Sequence, residues 1–107
     1  MTKPRIKVPE AVKVGEVIEI KTLISHVMET GQRKDKDGNP IPRDIINEFT
    51  ATYAGASVFR ATLHPGISAN PYIAFHMRVS GPGDLVFTWT DDAGKVVSEK
   101  LTLNVTA

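Results

Sequence analysis

Leu23-Ile-Ser-His-Val-Met-Glu-Thr-Gly-Gln-Arg-Lys-Asp-Lys-Asp-Gly-Asn-Pro-Ile-Pro-Arg-Asp-Ile-Ile-Asn47 is a long polar loop between two segments of strict alternation. Its two flanks decide the fold. On the N-terminal side Ile18, Ile20, Thr22 and Ile24 fall on one face of an extended chain, with Glu19 and Lys21 opposite. On the C-terminal side Ile45, Asn47, Phe49, Ala51 and Tyr53 share a face, opposed by Glu48, Thr50 and Thr52. A period of two marks a strand with one buried face. Nothing within the loop has the spacing of an active site, and Asp37-Gly38-Asn39-Pro40 is turn chemistry.

The same period continues outward. Ser57, Phe59, Ala61 and Leu63 form one row, and Ile73, Phe75, Met77 and Val79 another. Leu85, Phe87 and Trp89 follow, and then Val97, Glu99, Leu101, Leu103 and Val105. With a short strand near Arg5–Val8, about seven strands are expected. Turn residues punctuate them at Val14-Gly15, Gly55, Pro65-Gly66, Asn70-Pro71, Gly81-Pro82-Gly83 and Ala93-Gly94. No segment keeps a helical period over three turns. The reading is all-β: a sandwich of two antiparallel sheets in one domain spanning residues 1–107. Ile18, Ile20, Phe49, Phe75, Phe87, Trp89 and Leu103 should point inward.

Composition narrows the function classes. At 107 residues, 41% hydrophobic and 23% charged, the chain can build a core without staples. A net charge of +1 gives no bulk attraction to nucleic acid or membrane. With no cysteine there is no disulfide, thiol nucleophile or thiolate ligand. No stretch approaches the ~20 apolar residues of a membrane span. The basic N-terminus lacks the apolar run of a signal peptide, so this reading alone expects a cytoplasmic protein.

Candidate chemistry is sparse. His26, His64 and His76 show no metal-ligand spacing, and no metal or cofactor is expected. Ser25 and His26 are neighbours in an extended segment and point to opposite faces, so they cannot act as nucleophile and base. Asp35-Lys-Asp37-Gly-Asn39 opens like a calcium loop but carries Ile46 where a bidentate Glu belongs. Asp91-Asp92-Ala-Gly94 reads as a hairpin loop. Gln32-Arg-Lys34 with Lys36 is offset by Asp35 and Asp37 and lacks interleaved aromatics. No enzymatic constellation emerges.

Several stretches together carry a family resemblance. Gly15-Glu-Val-Ile-Glu-Ile-Lys-Thr-Leu-Ile-Ser-His26, Met28-Glu-Thr-Gly-Gln-Arg33, Ile41-Pro-Arg-Asp-Ile-Ile-Asn47, Asn70-Pro-Tyr-Ile-Ala-Phe75 and Phe87-Thr-Trp-Thr-Asp-Asp92 resemble SoxZ. SoxZ is the small subunit of the SoxYZ sulfur-carrier complex of bacterial thiosulfate oxidation. The family commonly has proline after the position of His26, where this chain has Val27. The resemblance implies an immunoglobulin-like sandwich that pairs with SoxY, whose cysteine arm carries covalently bound sulfur intermediates among periplasmic enzymes. It implies a non-catalytic subunit, transient contact with those enzymes, and a periplasmic location reached by export with a signal-bearing partner. The cysteine-free chain, ending Leu-Asn-Val-Thr-Ala, is expected not to be the carrier.

The residues themselves leave an alternative open, a stand-alone ligand- or carbohydrate-binding sandwich, for which Tyr53 and Tyr72 are the spare aromatics. For the partner surface the reading selects Ser25 to Arg33. Its candidates are His26 and Met28, placed where a core does not require them, and Arg33, which can offer a charge-assisted hydrogen bond to a partner carboxylate or carbonyl.

Overall fold

A computed structural model describes residues 4–26, 28–64 and 70–106. The turn expected at Pro65-Gly66, and Val27, lie outside the described residues. Among the described residues nine strands appear: β1 (Arg5–Lys7), β2 (Val12–Lys13), β3 (Val17–Leu23), β4 (Ile46–Tyr53), β5 (Ala56–Thr62), β6 (Tyr72–Arg78), β7 (Asp84–Asp91), β8 (Val96–Thr102) and β9 (Val105–Thr106). One sheet has the order β1-β3-β6 and the other β5-β4-β7-β8, all neighbours antiparallel. No described segment is helical.

Alternation places the inner faces together. Phe75 of the three-stranded sheet stacks on Phe59 of the four-stranded sheet, with ring centroids 4.6 Å apart. It also meets Phe49 edge-on at 6.4 Å. Phe49 further packs on Phe87 and Trp89. All seven residues expected to point inward are buried. Burial of each large apolar side chain contributes roughly 1.5–3 kcal/mol. Thr22, in phase with the core, satisfies its hydroxyl by donating to the Ile73 carbonyl at 2.8 Å.

Three features differ from the sequence expectation. The sheets are not the whole fold, because β2 and β9 form a parallel pair, Val12 opposite Val105. The last strand therefore breaks after Thr102: Leu103 stays in the core while Val105 changes partner. The inner face of β4 is also shifted at its start. Ile46 lies opposite Asp91 and Glu48 opposite Thr90, so Asn47 is an extra, bulged residue. The bulge puts Ile46 in the core beside Ile45 and turns Asn47 out of the apolar row. At the β4–β5 hairpin, Ala54 and Gly55 both take positive φ (51° and 84°) between paired Tyr53 and Ala56. That is the two-residue turn whose twist matches the strands.

Candidate partner-binding site

The loop after β3 folds as an arm. Glu29 and Asp44 exchange both backbone hydrogen bonds, at 2.8 and 2.9 Å. Farther out, the Ile41 amide donates to the Arg33 carbonyl (3.0 Å) and the Asp35 amide to the Asn39 carbonyl (2.9 Å). The tip closes where the Asp35 carboxylate accepts from the Asp37 and Asn39 amides, each at 2.9 Å. The calcium-like stretch is thus a self-satisfied turn. Residues 31–40 are all exposed.

The base of the arm is fastened to the β7–β8 turn. Asp92 is the hub. Its carboxylate accepts from the Arg43 guanidinium (2.7 and 3.0 Å), the Asn47 amide (2.9 Å) and the Ile45 backbone (3.2 Å). The Asn47 amide, with Arg43 and the Ile45 N–H adding to it, holds the Asp92 carboxyl below the ordinary aspartate range. The bulge at Asn47 is what aims that amide at Asp92. Asp91 beside it is buried and accepts from the Lys95 amide at 2.8 Å.

The candidate residues separate. His26 and Met28 are buried, at 8% and 4% exposure, so the expectation that no core requires them is corrected. The Met28 thioether lies in the core and accepts from the Ile46 N–H at 3.3 Å. Met28 also adopts a left-handed backbone (φ 51°) as the chain turns into the arm. The His26 backbone exchanges hydrogen bonds with Asn70, and its ring lies 3.3 Å from Asp91. Ser25 is exposed while His26 is buried, as opposite faces require. Arg33 alone of the three stands on the surface. It forms a bidentate pair with Glu29, which lowers the Glu29 carboxyl and raises the Arg33 guanidinium from their ordinary pKa values.

The fold also creates a cluster that spacing along the chain concealed. His26 Nε2 and carboxylate oxygens of Asp44 and Asp91 lie within 4.8 Å of one another, a spacing that a metal ion can bridge. One Asp44 oxygen is buried without a hydrogen-bond partner. The imidazole, however, is set against ligation. Its Nδ1 accepts the Met28 N–H at 2.9 Å, so the neutral ring carries its proton on Nε2, facing Asp91. A metal-bound histidine normally has the reverse, with the second nitrogen donating outward. The cluster accordingly acts as a buried fastening between β3, the arm and β7. His76 lies on the polar outer face, 3.9 Å from Glu19, and His64 is exposed.

The outer faces of the two sheets differ in charge. On the three-stranded sheet Arg5 lies opposite Leu23, which lies opposite Tyr72. Lys7 and Lys21 form the next row, and Arg78 lies opposite Val17. Glu19 is the one carboxylate among these described outward residues. On the four-stranded sheet Glu48 pairs with Arg60 and Asp84 with Lys100, amid threonines. Of the two tyrosines, Tyr53 is buried with its hydroxyl bound to Gly81, and Tyr72 is 58% exposed.

Comparison with solved structures supports the fold. Over 98% of this chain and 81% of the other, the superoxide reductase (neelaredoxin) of Ignicoccus hospitalis superposes with a TM-score of 0.72 at 15% identity. The sulfur carrier protein SoxY of Chlorobium limicola f thiosulfatophilum superposes with a TM-score of 0.70 at 16% identity, over all of this chain and 82% of that one. At these identities the likeness speaks for the sandwich alone. No curated protein sequence matches significantly. The family model described as sulphur oxidation protein SoxZ matches residues 6–102, nearly the whole chain. The chain belongs to the SoxZ family of sulfur-oxidation proteins.

Proposed function

We propose that this chain is the non-carrier subunit of a sulfur-carrier complex and pairs with a SoxY-like, cysteine-bearing subunit. One observation carries the reading: the chain belongs to a sulfur-oxidation family and shares its fold with a sulfur carrier, yet has no thiol on which to hold sulfur. The chemistry then falls to the partner's cysteine, and this chain supplies a scaffold. In this reading it has no turnover of its own. It works in the periplasm, on the thiosulfate pathway, exported together with a signal-bearing partner. Contacts with the enzymes that act on the carried sulfur are transient. Exposed Arg33, on an arm held rigid at its base, is the remaining surface member of the three candidate contact residues. A rigid arm binds without first having to be ordered.

Co-expression with the cysteine-bearing subunit tests the reading. The expected outcome is a 1:1 complex that survives size-exclusion chromatography, with thiosulfate-derived sulfur found by mass spectrometry on the partner only. Two separate peaks in that experiment would sink the pairing.

A further inference from the structure

The outer face of the three-stranded sheet combines an excess of cations with two exposed apolar side chains that adjoin each other, whereas the exposed Val58 and Val96 of the other sheet stand apart on its two edge strands. It holds Arg5, Lys7, Lys21 and Arg78 against Glu19; Glu19 pairs with Lys21 at 3.4 Å and leaves Arg5, Lys7 and Arg78 in excess, whereas on the opposite face Glu48 pairs with Arg60 and Asp84 with Lys100. It also carries an apolar end. Leu23 is 37% exposed and Tyr72 58%, side by side across β3 and β6. An open groove of about 270 Å³ runs beneath Arg5, Leu23, Lys21 and Tyr72. A second, of about 250 Å³, continues from Lys7 and Lys21 past Val8, Pro9 and the Lys21-paired Glu19. The two share Lys7 and Lys21 and so form one surface along β1 and β3.

We infer that this face docks an acidic protein surface, with one aliphatic or aromatic side chain of the partner seated against Leu23 and Tyr72. The inference rests on the carrier-complex reading and assigns the cysteine-bearing subunit as the occupant. Exposed cations around an apolar spot match carboxylates around an apolar anchor, and such charge pairing sets register and encounter rate. Tyrosine supplies contact area at low entropic cost and is frequent at interface centres. A polyanion fits less well: the net charge is only +1, and one exposed tyrosine makes no stacking platform. The location also fits. Leu23 and Tyr72 stand at the end of the sheet where the chain passes through Ile24 and Ser25 to His26 and the arm, and Asn70 ties that end to His26. The apolar end and the arm thus lie on adjoining surface, which the cationic rows extend.

Titration calorimetry of the full chain with the cysteine-bearing subunit, at low and high sodium chloride, tests this. Wild-type affinity should fall as salt rises. The triple variant Arg5→Glu/Lys7→Glu/Lys21→Glu should bind at least tenfold more weakly at low salt and lose that salt dependence. Tyr72→Ala should weaken binding at least tenfold at both salts, and Arg60→Glu on the opposite face should not change it. All three positions of the triple variant and Tyr72 are on the surface, and circular dichroism melts check that the fold is retained. Binding of both face variants like wild type overturns the face while leaving the pairing intact. Equal loss in Arg60→Glu overturns it too. A wild type that binds no carrier subunit overturns the pairing itself and the occupant with it. Self-association of the chain alone, abolished by Tyr72→Ala, assigns the face to a second copy and overturns the inference.

Discussion

At the scale of single residues, His26 and Met28 show how polar and soft side chains can serve a core. An imidazole with one nitrogen accepting and the other donating is satisfied without charge, which lets it sit at 8% exposure. Met28 fills space with an unbranched chain while its sulfur caps the first free amide of β4. Arg33, farther along the same segment, is 70% exposed along its side chain. These placements predict opposite effects on stability. Met28→Ala leaves a cavity and an unbonded buried amide, and should lower unfolding free energy by about 2–5 kcal/mol in urea titrations. Arg33→Ala should leave the urea midpoint where it is, because an exposed ion pair on a free surface stabilises little. Equal midpoints for the two variants would contradict this division.

Among the elements, the arm and the β7–β8 turn act as a unit. Asp92, 15% exposed along its side chain, collects donors from three residues at the arm base, and its folded pKa is depressed below the ordinary value. A depressed carboxyl stabilises the fold above its unfolded pKa of ~3.9, and that stabilisation disappears as pH falls through the lower folded value. Thermal melts from pH 7 down to pH 3 should therefore show the wild type losing stability below about pH 4. Asp92→Asn should start lower at pH 7, by about 1–3 kcal/mol, and fall less steeply. Hydrogen exchange should localise the loss to the Glu29 and Asp44 amides. A variant with the wild-type pH profile would show that the hub does not hold the arm. Two of the four edge strands of these sheets carry protection: β1 has three residues and projects Arg5 and Lys7, and β5 has a register shift between its Phe59 and Ser57 pairings. Charge and irregularity discourage unplanned strand pairing.

For the whole molecule, shape is the distinctive property. Its extents are 61 × 20 × 19 Å and its radius of gyration is 16.3 Å, against ~13 Å for a compact domain of this length. Strands of seven or eight residues reach ~27 Å at most. The arm, from the Glu29–Asp44 rung to Asp35, adds ~20 Å when it runs on along the strand direction. X-ray scattering from the free chain should give a radius near 16.3 Å, and replacing residues 31–42 with a short Gly-Ser link should bring it toward ~13 Å. A wild-type radius already at the compact value would mean that the arm folds back on the sandwich in solution.

The family is legible in the sequence by itself, in the resemblance of stretches such as Gly15–His26 and Ile41–Asn47 to SoxZ. Separately, the strands of the two sheets and most of their inner faces are legible there, because alternation is written locally. Phe49, Phe75, Phe87 and Trp89 were legible in this way, and so were the turn at Asp35–Asn39 and the polar placement of His76. Tertiary structure decided what depends on partners far along the chain. The parallel pairing of Val12 with Val105 joins segments too short to carry a period. The bulge at Asn47 exists to meet Asp92, which no local pattern announces. His26 and Met28 read as free because a polar ring and a thioether break an apolar row. Only the approach of Asp91 and the start of β4, together with the Met28 N–H turned onto the His26 ring, supplies the hydrogen bonds that make their burial favourable. The charge difference between the two outer faces likewise follows from strand order, which sorts individually ordinary lysines and arginines onto one side.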